Sequence, residues 1–251
     1  MSFMYLIYVI LGLFVAVMFC GVRFLSLNFF GKSVCKIKNA PKNTIYLTFD
    51  DGPNPNITPK VLELLKNYNQ KATFFCIAEK AKKYPEIVIK ILEDGHTLGS
   101  HDLHHHWTSN FRMTKKLTEE IGESVRILEE IAKTAKITNN CGWLSHYRPP
   151  VGLSNPHLFG VLKKFNLQCV GWSKSTRDGG NRILSAIKNI PNLAKATVAP
   201  RQDGDIILLH DNSPIQNEEL FLENLEKLLV NLQKLGKKSL PLSAALQPRG
   251  E

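Results

Sequence analysis

The chain has 251 residues, a formal net charge of +10 and 43% hydrophobic residues. After an amino-terminal segment, about 200 residues are left, which is enough for one hydrophobic core and makes a second domain unnecessary. The positive charge comes from lysines that we expect on helix surfaces, such as Lys80, Lys82 and Lys83, without the arginine-aromatic pattern of nucleic-acid readers. Five cysteines without a C-x-x-C pair do not indicate a disulfide framework.

The amino-terminal segment is an apolar run. Residues 3–22 have no charged side chain before Arg23, and about 20 such residues can span a bilayer as a helix. A cleavable signal peptide would need basic residues before the run and small residues at a cleavage site, and neither is clear here. We therefore predict a single-pass membrane anchor over residues 1–23, a linker over residues 24–43 and one catalytic domain over residues 44–251.

The remaining residues alternate between strand and helix patterns. Strands are predicted at 45–49, 72–77, 97–100, 147–149, 168–172 and 205–210, and helices at 58–68, 85–93, 114–134, 155–165, 182–190 and 218–234. This alternation predicts an α/β fold with a parallel sheet and crossover helices. About seven repeats favour a distorted (β/α) barrel over an open sheet.

Two adjacent acids end the first of these strands, where residues 48–52 read TFDDG. Neighbouring carboxylates repel each other, so a fold that holds both needs a cation or a shared proton. The Gly-Pro that follows turns the chain and presents Asp50 and Asp51 at the carboxyl end of the strand. The pair therefore suggests a metal site.

A histidine-rich stretch, HDLHHH, occupies residues 101–106. His101 and His105 are four residues apart, a spacing that puts two imidazoles on one face of a helix or helix-like turn. Two imidazoles and one carboxylate form a three-ligand set with open coordination positions, as metal-assisted hydrolysis requires.

With these residues, the chain resembles the polysaccharide deacetylases that share the NodB homology domain, also called carbohydrate esterase family 4. The family's first motif is TFDDG at 48–52, and its second is a histidine pair, here His101 and His105, with Asp102 in the place of a hydroxyl residue. The third motif, R-x-P-(Y/F), stands as RPPV at 148–151, and the fifth, L-x-H, as LLH at 208–210. The resemblance covers residues 43–240.

The resemblance implies a role for each matching residue. Asp51, His101 and His105 would bind a divalent ion, zinc first and cobalt, nickel or manganese as alternatives. Asp50 would be the general base and His210 the general acid that protonates the leaving amine, since an amine leaves poorly unless it is protonated.

The resemblance also assigns supporting residues. Arg148 would orient Asp50, and the backbone N–H of Val151 would donate to the oxyanion. Contacts to the oxyanion or the sugar are further expected from Pro150, Trp172 and Leu208.

The fourth motif, D-x-x-D-W, is only half present. Its first aspartate falls on Ser175, its second on Asp178 and its tryptophan on Gly179. In the family the first aspartate holds the arginine that orients the base, so this departure leaves Arg148 without its usual partner. Asp178 or Asp102 would supply the missing negative charge.

Together these features predict a metal-dependent hydrolase that removes N-acetyl groups from an amino-sugar polysaccharide or cell-envelope glycan. The alternatives are a deformylase or deacetylase of a lipid-linked amino sugar, and a catalytically silent carbohydrate-binding relative. Basic residues after the apolar run, Arg23, Lys32, Lys36 and Lys38 among them, would keep the domain in the cytoplasm. Long domains can translocate regardless of local charge, and the family's substrates place it on the extracytoplasmic face, which we predict.

Overall fold

The computed structural model describes residues 3–135, 144–176, 202–212 and 218–246. The predicted helix at 182–190 lies outside these residues. Nine strands and seven α-helices are assigned within them. The strands are β1 (Ser33–Val34), β2 (Thr44–Asp50), β3 (Ala72–Cys76), β4 (Thr97–Ser100), β5 (His146–Tyr147), β6 (Gln168–Val170), β7 (Lys174–Ser175), β8 (Ile206–His210) and β9 (Lys238–Ser239).

The helices account for most of the predicted helical segments. They are α1 (Phe3–Arg23), α2 (Thr58–Asn67), α3 (Ala78–Lys83), α4 (Pro85–Glu93), α5 (Thr114–Thr134), α6 (Leu158–Lys164) and α7 (Glu218–Lys234). Helix α3 was not predicted from the sequence, because its six residues are too few to show an apolar period.

The strands form one parallel sheet in the order β1-β6-β5-β4-β3-β2-β8-β7, and β9 pairs with the start of β2. This curled parallel sheet with crossover helices confirms the predicted α/β fold and is consistent with a distorted barrel. All seven residues of β2 are buried. Burial on both faces is expected of a central strand in a parallel sheet that is covered on both sides.

Alternate residues of β2 serve different layers. Ile45, Leu47 and Phe49 belong to the main hydrophobic cluster, which also includes the apolar sides of α2, α4 and α7. The residues between them point to the other face, so Asp50 shares that face with Tyr46 and Thr48. The same alternation that packs the helices therefore places Asp50 inside the curled sheet.

The segment predicted as a linker, residues 24–43, takes part in the fold, which corrects that prediction. Strand β1 pairs with β6 through Ser33 and Cys169, and Ile37 donates its backbone N–H to the carbonyl of Gly204 at 2.9 Å. Leu25 and Ile37 are buried. The two-residue strand is too short for a period-2 pattern, so the sequence did not reveal it.

Helix α1 confirms the helical part of the amino-terminal prediction. Many of its large apolar side chains are exposed, including Tyr8, Phe14 and Phe19. Within the described residues, none of the helices has the length and apolar character needed to span a bilayer. The prediction of a spanning helix is therefore not supported.

The carboxyl end of α1 is hydrogen-bonded to the loop that follows β5. The last carbonyls of a helix have no partner within the helix and need outside donors. Here the backbone N–H of Ser154 donates to the carbonyl of Val22 at 3.0 Å, and its Oγ donates to the carbonyl of Gly21 at 3.1 Å. Ser154 is buried. It lies just beyond the 148–151 motif, so α1 ends against that loop.

A buried histidine makes stability depend on pH. The Nδ1 of His96 accepts the backbone N–H of Ala72 at 3.1 Å, and burial, followed by the charge of Lys71, lowers its pKa to about 4. An unfolded chain binds this proton near pH 6.5, so stability is lost as the pH falls from about 6.5 to about 4, by roughly 3 kcal/mol. We expect His96→Gln to reduce but not abolish the loss of stability in urea unfolding measured from pH 7 to 4, because burial also lowers the pKa values of His105 and His146 to about 4.

The matched control is His157→Gln, because the ring of His157 lies in an exposed hydrogen bond to Thr114. This control should keep the pH slope of the wild-type chain. Equal slopes in wild type and His96→Gln would contradict the assignment of the slope to His96.

Candidate active site

The four intact motifs meet at one edge of the sheet. Asp50 ends β2, His101 follows β4, Arg148 follows β5 and His210 ends β8. In parallel α/β folds the carboxyl ends of the strands carry the functional residues. The predicted placement of the motifs is confirmed.

Asp51, His101 and His105 converge, as the sequence predicted. The Oδ1 of Asp51 lies 3.4 Å from the Nε2 of His101 and 3.3 Å from the Nε2 of His105. One ligand atom from each residue lies within 4.8 Å of the others. The two imidazole rings are tilted against each other with centroids 4.6 Å apart.

The histidines do not lie on a helix, which corrects the prediction made from their spacing. Residues 101–106 form a loop between β4 and the 3₁₀ turn Trp107–Phe111. Asp102 has φ 73° and His105 has φ 57°. These left-handed residues fold the loop back on itself, so the two rings meet without helical geometry.

Left-handed backbone is concentrated at this site. Eight non-glycine residues of the described chain have positive φ; four are asparagines in turns, and the others are Asp51, Asp102, His105 and Val151. Asparagine tolerates this conformation, whereas a β-branched residue such as valine is an outlier there. Each such residue costs on the order of 1–3 kcal/mol and persists where surrounding contacts hold it, typically at functional sites.

The tautomer of His101 suits metal binding. Its Nδ1 lies 2.7 Å from the carbonyl oxygen of Arg148, which can only accept, so Nδ1 carries a proton and Nε2 is the ring nitrogen left for a metal ion. An imidazole held in this way by a carbonyl is the usual arrangement for a metal ligand.

The three side chains perturb one another's protonation. Burial alone would raise the pKa of Asp51, but contact with His101 and the charges of both histidines hold it well below its usual range. Burial and the charge of His101 lower the pKa of His105 to about 4. Burial would also lower the pKa of His101, but the charges of Asp50 and Asp51 outweigh burial, and the pKa of His101 is raised.

This donor set fits a divalent cation. The Oδ1 of Asp51 is buried without a hydrogen-bond partner among the described residues, and such an oxygen is costly to bury unless something compensates it. Two imidazole nitrogens and one carboxylate suit zinc and its first-row neighbours, and three protein ligands leave positions open, as in catalytic sites.

Asp50 lies beside the three ligand residues but is held by a different partner. Its Oδ1 accepts a hydrogen bond from the Nη1 of Arg148 at 2.6 Å. Its Oδ2 lies 3.7 Å from the Nε2 of His101. Both Asp50 and Arg148 are buried, with 3% and 0% of their surfaces exposed. Asp50 therefore faces the site with one oxygen fixed by a guanidinium.

The described partners of Arg148 bear on the question raised by the incomplete fourth motif. Its guanidinium donates to the carbonyl of Gly171 at 2.8 Å, to the carbonyl of Val170 at 3.3 Å and to the Oγ1 of Thr48 at 2.8 Å. Its faces lie over the rings of Phe75 and Trp172, 4.1 Å and 5.7 Å from the centroids. Besides Asp50, the described groups around the cation are therefore neutral acceptors and aromatic rings.

Neither proposed substitute for the missing aspartate is seen to support Arg148. Asp102 is buried, but its Oδ2 accepts a hydrogen bond from Ser109 at 2.8 Å, and within the described ranges it makes no ion pair with Arg148. That expectation is wrong for Asp102, because its loop turns the carboxylate toward the 3₁₀ turn. Asp178 lies outside the described residues. Ser175 stands in β7, opposite Leu208 of β8.

His210 is the neighbour of Asp50 in the sheet. Strands β2 and β8 are parallel and pair Asp50 with His210 and Thr48 with Leu208. Paired residues of adjacent strands point to the same face, about 4.8 Å apart. His210 is partly exposed, whereas Leu208 is buried. The predicted acid and base thus stand side by side at the sheet edge.

The remaining predicted residues line the loop after β5. Val151 has φ 49°, and its side chain is 51% exposed while Pro150 is buried. The indole of Trp172 lies against Gly152, where an added Cβ would come within 2.2 Å of the ring. This close approach, together with φ +67°, requires glycine at 152.

Sequence reasoning missed residues that support the TFDDG turn. Phe75, Lys80 and Asp211 belong to none of the motifs, although Asp211 directly follows His210 in the chain. Asp211 is buried; its Oδ2 accepts a hydrogen bond from Thr58 at 2.6 Å, and burial raises its pKa to about 7. Its carboxyl group lies so close to Gly52 that an added Cβ would approach Oδ2 to 2.4 Å.

Comparison with known proteins decides the family. The sequence model of the family described as polysaccharide deacetylase matches residues 37–170. The chain belongs to this family. Deacetylases of carbohydrate esterase family 4 are metal-dependent, in agreement with the Asp51, His101 and His105 group.

Named relatives of this polysaccharide deacetylase cover most of its length. It is 33% identical over 205 residues to a peptidoglycan-N-acetylglucosamine deacetylase from Bacillus cereus, covering 81% of this chain and 88% of that one. It is 34% identical over 173 residues to a chitooligosaccharide deacetylase from Azorhizobium caulinodans, covering 69% and 76%. The solved structure of the peptidoglycan deacetylase PdaC from Bacillus subtilis matches with a TM-score of 0.66 and 25% identity, covering 82% and 90%.

Proposed function

We propose that this polysaccharide deacetylase hydrolyses the N-acetyl amide of amino-sugar residues in a cell-envelope glycan. The observation that carries the proposal is the convergence of Asp51, His101 and His105 beside Asp50, whose own partner is Arg148. A three-ligand set next to an acid that is not a ligand has the parts that metal-assisted hydrolysis needs.

Asp51, His101 and His105 would hold the divalent ion, zinc in the first place and cobalt, nickel or manganese as alternatives. Bound there, the ion would polarise the amide carbonyl and make a water molecule more acidic. The buried carbonyl of Arg148 keeps the Nε2 of His101 available for this role.

Asp50 would take the proton from the attacking water. Arg148 fixes its Oδ1 and leaves the carboxylate oriented along the edge of the sheet, so the base need not reorganise during the reaction.

His210 would return a proton to the nitrogen of the leaving amine. It adjoins Asp50 on the neighbouring strand, so the acid and the base would act on the same amide group from adjacent positions. The backbone N–H of Val151 would donate to the oxyanion, and a backbone donor serves whatever side chain it carries. Pro150, Trp172 and Leu208 would shape the surface for the sugar.

The relatives guide the choice of substrate. Two of them are named for peptidoglycan N-acetylglucosamine and for chitooligosaccharides, so we propose an N-acetylated amino-sugar polymer. A formylated or acetylated lipid-linked amino sugar is the second candidate, since the exposed apolar side chains of α1 would bring the site close to lipid.

The proposal is tested with the purified full-length chain loaded with Zn²⁺ or Co²⁺. Peptidoglycan fragments, chitin oligomers and lipid-linked amino sugars are incubated with it, and released acetate, formate and free amine are measured. Acetate and amine in equal amounts from a glycan would support the proposal. Stoichiometric metal without release from any N-acetylated or N-formylated sugar would favour a silent carbohydrate-binding relative.

We also propose that the catalytic domain works on the extracytoplasmic side, with the exposed apolar side chains of α1 against a membrane. Peptidoglycan, for which a relative is named, lies on that side. Protease added to intact spheroplasts should digest the domain. Protection until the cells are lysed would place it in the cytoplasm instead.

A further inference from the structure

Helix α3 joins the two halves of the candidate metal site. Its first backbone N–H groups donate to the loop of the histidine pair, Ala78 to the carbonyl of Asp102 at 3.1 Å and Glu79 to the carbonyl of Leu103 at 3.2 Å. This helix therefore fixes the loop that carries His101 and His105.

The same helix reaches the acidic turn through one side chain. The Nζ of Lys80 donates to the backbone carbonyl of Asp51 at 2.9 Å. Lys80 is partly buried, not a solvated surface lysine as its sequence context suggested. Within the described parts of the chain no carboxylate lies at ion-pair distance from this ammonium, so the carbonyl of Asp51 is its fixed acceptor.

Three successive carbonyls of the turn are held from outside. The carbonyl of Asp50 accepts from the N–H of Asp211 at 3.2 Å, that of Asp51 from Lys80, and that of Gly52 from the N–H of Ile77 at 2.9 Å. Two of these donors are backbone groups that any sequence would supply. Lys80 is the one of the three that depends on the side chain.

The turn needs such support, because Asp51 has φ 72°. A non-glycine residue in this region is strained and stays there only when its surroundings fix it. If the peptide after Asp51 were free to rotate, its carboxylate would leave the position 3.3–3.4 Å from both imidazoles.

We propose that Lys80 is a positioning residue for the metal site, which it serves by fixing the backbone of Asp51 and tying it to the histidine loop through α3. The proposal rests on the proposed function, since it assumes that Asp51 is a metal ligand. Lys80 itself touches neither the metal nor the substrate in this role. It acts on affinity for the ion and on the geometry around it.

The test measures metal binding by Lys80→Met, which keeps most of the length of the side chain but removes the donor. Zn²⁺ affinity is measured by chelator competition, and site geometry by the visible spectrum of the Co²⁺ form. We expect a 10- to 100-fold weaker affinity, about the loss seen when outer partners of metal ligands are removed, and an altered Co²⁺ spectrum. Lys80→Arg, which retains a cationic donor, should restore affinity to within a few-fold of the wild-type value.

Lys82→Met is the matched control, since Lys82 lies on the same short helix but is exposed. It should bind metal as the wild type does. Should Lys80→Met fail to fold, Lys80→Leu, which also lacks a donor, takes its place, with the same expected loss of affinity.

The outcomes separate the two proposals. Wild-type affinity and spectrum in Lys80→Met, with binding lost in Asp51→Asn, would overturn the role of Lys80 and leave the metal site intact. Unchanged binding in Asp51→Asn would overturn the metal site itself.

Discussion

Asp50→Asn is expected to lower the rate of acetate release by about 10²- to 10⁴-fold, the range typical of a lost proton-transfer group. Asparagine has the shape of aspartate and can still accept the hydrogen bond of Arg148 that now measures 2.6 Å, but it cannot take a proton from water. Metal content should stay at the wild-type level, because Asp50 is not in the Asp51, His101 and His105 group. Turnover and metal stoichiometry are measured on the same preparation.

The variant also removes the counter-charge of a buried arginine, so its melting temperature must be compared with that of the wild type. Removing one partner of a buried ion pair can cost about 3–5 kcal/mol. Here the carbonyls of Gly171 and Val170 and the hydroxyl of Thr48 remain as acceptors, which should reduce that cost. Asp94→Asn, at an exposed pair with Lys90, is the matched control. Full activity in a folded, metal-loaded Asp50→Asn protein would rule out Asp50 as the base.

His105→Ala should cost the protein its metal ion. The variant removes one of three ligand side chains, so we expect affinity to fall by more than the about 10- to 100-fold loss caused by removing an outer partner. Activity should fall with it and should recover in part when Zn²⁺ is supplied in excess. Chelator competition gives the dissociation constant, and acetate release at several Zn²⁺ concentrations gives the recovery.

His104→Ala controls for the histidine-rich loop. Its Nδ1 faces Glu79 at 2.8 Å, away from the ligand group. This control should bind the ion like the wild type. Equal metal affinities in His104→Ala and His105→Ala would mean that His105 is not a ligand and that the sequence motif misled the assignment.

The sequence predicted the framework of the fold because its signals are local. The apolar runs of β2, β3 and β8 and the periodic pattern of α5 and α7 depend on neighbouring residues, and a parallel sheet then brings the ends of the strands to one edge. The convergence of Asp51 with His101 and His105 followed from that topology together with the motifs. Their roles in catalysis stay predictions.

What the sequence could not reveal depends on contacts between distant segments. Helix α3, strand β1 and the donor role of Lys80 are short or solitary features without a pattern. The spacing of the histidines was misread as helical, because the left-handed residues Asp102 and His105 produce the same proximity by another backbone path. The hydrogen bonds from Arg148 to backbone carbonyls could not be predicted either, since every residue has a backbone carbonyl and the sequence does not show which one accepts.

The hydrogen bonds from Ser154 to the carbonyls of Gly21 and Val22 affect which shortened forms of this protein are suitable for experiments. Removing helix α1 by starting the protein at residue 24, in order to gain solubility, would remove both hydrogen-bond acceptors of the buried Ser154. Ser154 lies three residues from Val151. Kinetic constants measured on such a shortened protein would then reflect an altered conformation of the loop that carries Val151. A cut placed farther toward the amino terminus, which keeps the last turn of the helix, would preserve those acceptors.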